Sequence, residues 1–480
     1  MTFADSVVKS KKTAAAHQGT TLALAKFIAG LKSEDIPVST RSVVVKALID
    51  GIGCGLYGLL TPWAKIIHEF ALEQGGPQES SLWAAGGRKV SAMNAALAAG
   101  TAIHSFEVDD HCRAKTHPGA PVISAAVALG EREGISGAKL LTAITAGYET
   151  MIRICLAANP GVVRMRGWHS TGTGGTFGAA AAASVILGLN AETTASALGL
   201  AGTQSAGLYA FSADGAMSKR LHPGRAAESG IMAALLAARG FHGPRFVLEA
   251  EDGGFFGAFS DETCITEVTA GLGSEWRTDG VCFKPYACCG SNHSSIDATL
   301  SIMAEQKLKP GDVDHVVTGV SRIVETQTGF VYRPTTVLNA QMSQRYNIAV
   351  AMLDKQAYLE QFTEERIKER EVCELASRIK VEVDPEMDAV YPKLYAGKIT
   401  VVTKGGQRIT KRVDYSKGMP ENPMDKEDIE RKFLSLAGTA IGREQAESLL
   451  AEVNRAIDSE SINPLAQALG RCRLSGHMQS

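Results

Sequence analysis

The segment FEVDDHCRAKTHPGA (residues 106–120) gathers acidic and basic side chains at a point where a helix must end. Three carboxylates, Glu107, Asp109 and Asp110, lie within five positions of His111, and His117 follows. If the preceding helix continues into the segment, Glu107, Asp110 and His111 share one helix face, because they have i, i+3, i+4 spacing. A carboxylate on that face could orient an imidazole for proton transfer. The ordinary alternative is a capped helix end with solvated charges.

His117 is predicted to lie just before a helix. Pro118 disfavours helical backbone at the preceding residue, and we expect the next helix to begin near Pro121. A helix N-terminus carries partial positive charge, which favours the neutral form of a nearby imidazole. Because a neutral imidazole can accept a proton near pH 7, His117 is the predicted general base or acid.

A second candidate segment is RGWHSTGTGGTFGAAAAAS (166–184), in which His169 precedes a Ser/Thr/Gly stretch. We expect this stretch to be a loop that opens into an alanine-rich helix. Backbone N–H groups and hydroxyls at a helix start bind carboxylates and phosphates well. The stretch is not a phosphate-binding P-loop, because it lacks the Gly-Lys-Ser/Thr ending. Close helix packing by glycine explains the same pattern equally well.

A third segment, GAMSKRLHPGRAAESG (215–230), holds four potential cations within seven residues. These are Lys219, Arg220, His222 and Arg225, and they surround a second His-Pro-Gly sequence that we expect to break the chain before a helix. A charge run usually lies on the surface, but the flanking sequences are apolar. Buried cations require anions, and a substrate rich in carboxylates would supply them.

The fourth segment, VCFKPYACCGSNHSS (281–295), contains a lysine, a tyrosine, two adjacent cysteines and a histidine. They are Lys284, Tyr286, Cys288, Cys289 and His293. We expect them at a domain junction, where pockets tend to form. Adjacent cysteines do not have the C-x-x-C spacing of a zinc site, and each is ordinarily a small buried hydrophobic residue.

The secondary structure that must position these side chains is predicted to change along the chain, from helical to mixed helix and strand. Residues 1–270 have helical periodicity with small residues inside the helices, which indicates a tightly packed bundle. After about residue 280, three stretches alternate and are rich in β-branched residues: 313–324, 379–384 and 398–414. The last predicts a hairpin around Gly405-Gly406. We therefore predict a mainly α fold: a large helical domain from both chain ends (1–279 and 425–480) and an inserted α+β lid domain (280–424).

Composition excludes several classes of function. The 480 residues predict two domains. A net charge of −2 without a basic block argues against nucleic-acid and membrane-surface partners. The nine scattered cysteines indicate reduced thiols and a cytoplasmic protein. The N-terminal MTFADSVVKSKK lacks a signal-peptide h-region, and the apolar run ending at Leu189 is too short to span a bilayer.

Taken together, these segments resemble the MmgE/PrpD family, which includes 2-methylcitrate dehydratase, cis-aconitate decarboxylase and iminodisuccinate epimerase. The resemblance covers essentially the whole chain. It rests on EVDDHCRAKTHPG, GWHSTGTGGTFGAAAAA, MSKRLHPGRAAESG, EDGGFF, AGLGSEW, KPYACCGSNH and NAQMSQRY in this order. It implies a helical domain with an α+β lid, a homodimer, a small polycarboxylate substrate, and no metal or organic cofactor.

The resemblance also implies roles for individual residues. Glu107 and His117 match the acidic start and the functional histidine of the first motif, and His169 and Lys219 match a histidine and a lysine of the next two. Two residues depart from the family pattern: His111 replaces a hydroxyl residue, and Cys289 replaces a histidine of the animal decarboxylases. The fungal decarboxylases share the YACCG form. The catalytic set that follows is His117, His169, Lys219, Glu107 and Asp110. The substrate-binding set is Lys284, His222, Arg220, Arg225, His111, Tyr286 and Cys289.

The resemblance implies a cofactor-independent lyase that moves a proton next to a carboxylate, and the basic residues above could stabilise the developing charge. A dehydratase of the 2-methylcitrate type is the leading interpretation. A decarboxylase of the cis-aconitate type and an epimerase of the iminodisuccinate type are the alternatives. Two remote alternatives are a metal-dependent hydratase and a non-catalytic helical scaffold. The hydratase would use Glu107, His111, Cys112 and His117.

Overall fold

The computed structural model describes residues 19–475, and helices dominate this range. The prediction of a mainly α fold is confirmed. The N-terminal sequence in which we predicted no signal peptide lies outside the described residues. The chain forms two compact units. Unit 1 runs up to Ser105, covers Asp109–Val281, and resumes at Lys426; unit 2 comprises Phe106–Val108 and Cys282–Asp425.

The first part of unit 1 is a helical array with a few very short strands. Its helices are α1 (Thr20–Gly30), α2 (Val38–Gly58), α3 (Pro62–Gln74), α4 (Ala92–Ile103), α5 (Gly119–Glu133), α6 (Gly137–Ala157), α7 (Pro160–Met165), α8 (Ser170–Leu187), α9 (Ala191–Gly202), α10 (Phe211–Asp214), α11 (Ser218–Ala238) and α12 (Phe255–Phe259). Its strands are β1 (Ser80–Ser81), β2 (Lys89–Val90) and β3 (His111–Cys112). Strands β1 and β2 pair antiparallel.

Small residues allow the central helices of unit 1 to approach closely, as the sequence predicted. Helix α11 packs against α4 and α8. A Cβ atom on Gly224 of α11 would lie 2.3 Å from the Leu97 carbonyl oxygen of α4, so the backbones can meet only without a side chain there. Helix α6 is long and apolar enough to cross a membrane, but 94% of its most apolar stretch is buried inside the protein, as in a core helix.

Unit 2 contains one four-stranded sheet and several short helices. A short strand, β4 (Val281–Cys282), spans the boundary between the units in sequence. The further elements are α13 (His293–Glu305), β5 (Val313–Val320), α14 (Arg322–Thr328), α15 (Val337–Met342), α16 (Gln344–Asp354), α17 (Arg370–Ser377), β6 (Ile379–Val383), α18 (Pro385–Val390), β7 (Gly397–Thr403) and β8 (Arg408–Val413). The sheet order is β6-β5-β7-β8.

The register of this sheet follows the alternation in the sequence. Strand β5 pairs parallel with β6 and antiparallel with β7, and β7 pairs antiparallel with β8 from Gly397↔Val413 to Val402↔Arg408. The predicted hairpin is therefore confirmed, and Gly406 supplies the positive φ of 83° that its turn requires. Ser321 ends β5 earlier than the pattern indicated, because it caps α14 through the Val324 N–H.

The last three helices belong to unit 1: α19 (Lys426–Ile441), α20 (Arg443–Ala456) and α21 (Asn463–Arg471). Helix α19 packs against α2. Lys432 of α19 and Asp50 of α2 form a buried ion pair at 2.7 Å. The C-terminal helix α19 is therefore joined to α2 by both apolar packing and a buried ion pair.

Candidate active site

Asp109 lies at the centre of a group of histidines in unit 1. Its Oδ2 atom accepts a hydrogen bond from His104 Nδ1 at 2.7 Å and lies 3.3 Å from His117 Nδ1. His104 is fully buried and Asp109 is 1% exposed. The His104 and His117 rings meet edge to face with centroids 4.7 Å apart. We call His104, Asp109, His117, His169 and His222 the histidine cluster.

Local structure places His117 at the start of α5, close to the predicted position. The helix begins at Gly119, two residues before the expected Pro121, with Pro118 as its N-cap residue. The backbone N–H of His117 donates to Thr171 Oγ1 at 3.2 Å, which ties the segment to the first turn of α8. The backbone of His117 thus lies next to two helix N-termini, where partial positive charge accumulates.

Asp110, which we predicted as a residue that could orient an imidazole, forms hydrogen bonds to the start of helix α5 and to a tyrosine. Its carboxylate accepts hydrogen bonds from the Gly119 N–H at 3.0 Å and from the Tyr148 hydroxyl at 2.7 Å. A Cβ on Gly119 would approach this carboxylate to 2.9 Å, so the bond depends on glycine. Burial raises the pKa of Asp110 to about 7, although Tyr148 opposes the rise.

The expectation that Glu107, Asp110 and His111 share a helix face is wrong. Helix α4 ends at Ile103, and His111 lies in β3. Glu107 has a φ of +44°, which no residue within a right-handed helix adopts. Asp110 and His111 belong to unit 1, whereas Glu107 belongs to unit 2.

His169 and His222 form the second half of the cluster. Their Nδ1 atoms are 3.0 Å apart, so one ring donates the proton and the other accepts it. His169 is the N-cap residue of α8, and its ring stacks on His104 with centroids 5.7 Å apart. The predicted Ser/Thr/Gly loop is wrong, because residues 170–176 are helical and buried.

Lys219 and Arg220 bring positive charge to the cluster. They are 8% and 4% exposed, and Arg220 Nη1 donates to the His104 carbonyl oxygen at 3.3 Å. The expected chain break at His-Pro-Gly is wrong, since α11 begins at Ser218 and contains Pro223. Close packing of α11 against its neighbours compensates for the missing N–H of the proline. As a result, Lys219 and His222 lie one turn apart on the same helix.

Arg225 lies at the surface. Its side chain is 50% exposed and pairs with Glu228 at 2.9 Å. Its charge is therefore already paired one turn along α11, in contrast to the buried positions of Lys219 and Arg220.

Burial sets the protonation states of the cluster. It lowers the pKa values of His104 and His169 well below the ordinary value, and Asp109 opposes this effect at His104. Burial also lowers the pKa of His222 to about 4 and that of Arg220 to about 10. By itself burial would raise the pKa of Asp109, but His117 and His104 outweigh it and hold that pKa well below its ordinary value. The free protein at pH 7 therefore has neutral His104, His169 and His222 rings, an Asp109 carboxylate and a charged Arg220.

In unit 2, Lys284 and Glu107 form a buried ion pair. The Lys284 Nζ atom lies 3.1 Å from the Glu107 carbonyl oxygen and 3.4 Å from its Oε2. The two residues are 1% and 3% exposed. The positive φ of Glu107 allows its backbone carbonyl and its side chain to face the same ammonium group.

The other candidate residues of the fourth segment, Tyr286, Cys288, Cys289 and His293, also belong to unit 2. The Tyr286 hydroxyl donates to Asp297, and its ring meets His293 edge to face at 5.2 Å. Burial and the Asp297 carboxylate raise the pKa of Tyr286 above its ordinary value. Cys289 is buried, and its N–H donates to the Gln341 carbonyl oxygen at 3.1 Å. Burial and Cys289 raise the pKa of Cys288, so its thiol is a buried, neutral group.

The structure does not support the predicted four-residue metal set. Glu107 is ion-paired with Lys284, and burial raises the pKa of Cys112 to about 12, which disfavours the thiolate that a metal requires. His111 is half-buried, with its ring 6.4 Å from that of His117. Within residues 19–475, ligand atoms of His104, Asp109 and His117 lie within 4.8 Å of one another and could hold an ion. Two of these atoms, His104 Nδ1 and Asp109 Oδ2, are joined by a 2.7 Å hydrogen bond.

Four residues of this neighbourhood were not among the predicted site residues: His104, Asp109, Tyr148 and Thr171. Asp109 was visible in the acidic segment but had no assigned role. His104 follows the apolar helix α4 directly, and a histidine in such a place needs a buried partner. That signal could have paired it with Asp109, five residues later. Tyr148 and Thr171 belong to distant helices, and no local pattern points to them.

Two domain profiles match the chain in sequence order. The MmgE/PrpD N-terminal domain matches residues 22–267, and the MmgE/PrpD C-terminal domain matches residues 286–456. Three similar proteins carry the name cis-aconitate decarboxylase. The protein of Aspergillus terreus is 29% identical, covering 96% of this chain and 98% of its own. The human protein is 30% identical, covering 94% of each chain, and the mouse protein is 28% identical, covering 94% of this chain and 93% of its own.

Proposed function

Because the chain belongs to the MmgE/PrpD family, with domain matches over residues 22–267 and 286–456, we propose that it decarboxylates cis-aconitate or a very similar unsaturated tricarboxylate. The observation that supports this proposal most directly is the similarity to cis-aconitate decarboxylases over at least 94% of the chain. From the sequence we predicted a 2-methylcitrate dehydratase as the leading function, and the relatives favour the decarboxylase alternative instead. The broader prediction, an MmgE/PrpD-type lyase, is confirmed.

The proposed reaction breaks one carbon–carbon bond and forms one carbon–hydrogen bond. The carboxylate on the saturated CH2 carbon leaves as CO2, and its bonding electrons form a new double bond to the central carbon. The former double-bond electrons take a proton at the opposite carbon. Each turnover thus consumes one proton and converts a tricarboxylate into a five-carbon unsaturated dicarboxylate. Such a reaction needs a positioned acid and cations that hold the charge that develops.

The histidine cluster offers a candidate acid, and the two basic residues beside it offer the cations. We assign proton donation to His117, which lies 3.3 Å from the Asp109 carboxylate that can stabilise its charged form. Lys219 and Arg220 are buried beside the cluster and would bind substrate carboxylates. His169, hydrogen-bonded to His222, is the second candidate for contact with the reacting carbons.

The test is incubation of the purified protein with cis-aconitate, 2-methylcitrate and iminodisuccinate, each followed by NMR of the products. Decarboxylation of cis-aconitate, in the presence of a chelator, is the expected outcome. Dehydration of 2-methylcitrate or epimerisation of iminodisuccinate without carbon loss would replace the proposal with one of its alternatives. Loss of activity in the chelator would instead point to a metal at His104, Asp109 and His117.

A further inference from the structure

We infer that His104 and Asp109 form a positioning pair that orients His117, and this inference rests on the proposed acid role of His117. Both imidazoles lie close to the same atom, Asp109 Oδ2. His104 Nδ1 is 2.7 Å from it, and His117 Nδ1 is 3.3 Å from it. The shorter contact is a buried hydrogen bond with a charged acceptor, which is stronger than a neutral bond. His104 therefore fixes the rotation of the carboxylate, and the carboxylate presents one oxygen to His117.

The hydrogen bond to the Asp109 carboxylate defines the tautomer of His104. Its Nδ1 carries the proton that Asp109 accepts, so its Nε2 is an unprotonated acceptor in the neutral ring. Within the described chain, His104 Nε2 and Asp109 Oδ1 are buried atoms without a hydrogen-bond partner. Buried polar atoms without partners are unfavourable and occur at sites that a ligand or water completes. Two such atoms on neighbouring side chains are consistent with a site that binds a polar substrate.

His104 also contacts the other candidate acid–base group. Its ring meets that of His117 edge to face at 4.7 Å and stacks on that of His169 at 5.7 Å. Its carbonyl oxygen accepts from Arg220. The fully buried ring of His104 thus contacts two histidines, and a catalytic group displaced by about 1 Å can lose about 100-fold in rate.

Two substitutions separate positioning from simple packing. His104→Phe keeps a ring of similar shape but removes the Nδ1 donor. His104→Asn is smaller but keeps an amide N–H close to the Nδ1 position. We expect His104→Phe to lower kcat about 100-fold with KM within about 3-fold of wild type, and His104→Asn to recover at least 10-fold of that loss. A packing role alone would give the opposite order, because the asparagine leaves a larger cavity.

Two further variants complete the set. His104→Gln moves the donor away from Asp109 and should be as slow as His104→Phe, which keeps the test available if the phenylalanine variant does not fold. His68→Asn is the matched control, because His68 Nε2 bonds to the Trp83 carbonyl oxygen at 2.9 Å and has no role in the proposed site. It should leave kcat unchanged.

A spectroscopic measurement tests the inference without any substrate. Long-range proton–nitrogen NMR spectra of protein labelled with 15N-histidine should show a neutral ring protonated at Nδ1, and this signal should vanish in every His104 variant. The His117 signals, assigned from their loss in His117→Gln, should move in His104→Phe and return in His104→Asn. An unmoved His117 signal in His104→Phe overturns the inference, even if cis-aconitate proves to be the wrong substrate. Conversely, an inactive wild type with these NMR changes rejects only the proposed function.

Discussion

Replacing Lys284 with methionine is expected to destabilise unit 2 strongly. Lys284 and Glu107 are almost fully buried, and the ammonium group contacts both the carboxylate and the carbonyl oxygen of Glu107. Methionine preserves most of the apolar volume, so the loss is electrostatic. Removing one partner of a buried ion pair leaves an uncompensated charge, which costs about 3–5 kcal/mol. For a domain of this size that corresponds to about 6–20 °C in Tm.

A double-mutant cycle shows whether this cost comes from the pair. Glu107→Gln with Lys284→Met removes both charges, and replacement of a whole buried pair is often neutral. The double variant should therefore be at least about 2 kcal/mol more stable than Lys284→Met alone. The assay is denaturant unfolding of the full chain, followed by a probe in unit 2. Because the chain has two units, the transition of each unit is fitted separately.

A matched surface pair in the same unit supplies the control. Lys411 pairs with Glu305, but its side chain is 34% exposed, and that of Glu305 is 56% exposed. Lys411→Met should cost less than about 1 kcal/mol, the usual range for exposed pairs. The reasoning is refuted if Lys284→Met falls within 1 kcal/mol of wild type, or if the double variant is less stable than the lysine variant.

Three further predictions follow from the site. His117→Gln should lower kcat at least about 100-fold, the usual contribution of a positioned acid, with an unchanged melting curve; activity within a few-fold of wild type would remove His117 from the mechanism. Lys219→Met should lower kcat more than it raises KM, since a cation that meets developing charge acts mainly in the transition state; steady-state kinetics decides, and a pure KM effect contradicts it. The pKa of Asp110 is about 7 in the folded protein, compared with an ordinary value of 3.8. The folded protein therefore holds this proton more tightly than the unfolded chain, and wild-type stability should fall by up to about 4 kcal/mol as the pH rises from about 4 to 7. Denaturation of Asp110→Asn at pH 5 and pH 8 should lack this loss, and an equal loss in the variant would show that Asp110 is not its source.

Elements with local signals could be predicted from the sequence. The hairpin around Gly405-Gly406 has alternating β-branched strands and a turn that needs positive φ, and both features are encoded within a few residues. The start of α5 followed from Pro118, whose ring restricts the residue before it. Periodicity likewise predicted the helical character of α2 and α6.

Features set by distant contacts could not be predicted in this way. The backbone at Glu107 leaves helical geometry where its side chain and carbonyl meet Lys284, a residue 177 positions away. Helix α11 runs through Pro223 because its packing outweighs one lost hydrogen bond. The role of Asp109 depends on two imidazoles approaching one oxygen, and spacing along the chain does not reveal which carboxylate of an acidic run they approach.

The most direct test of the proposed chemistry is the conversion of cis-aconitate in D2O, with 13C NMR of the product and measurement of released CO2. The proposal predicts one CO2 per product molecule and a single new carbon–deuterium bond, at the former double-bond carbon. It also predicts that His117→Gln slows both events equally, because one proton transfer accompanies the carbon–carbon cleavage. Deuterium entering the substrate without loss of carbon, or a six-carbon product, would contradict it.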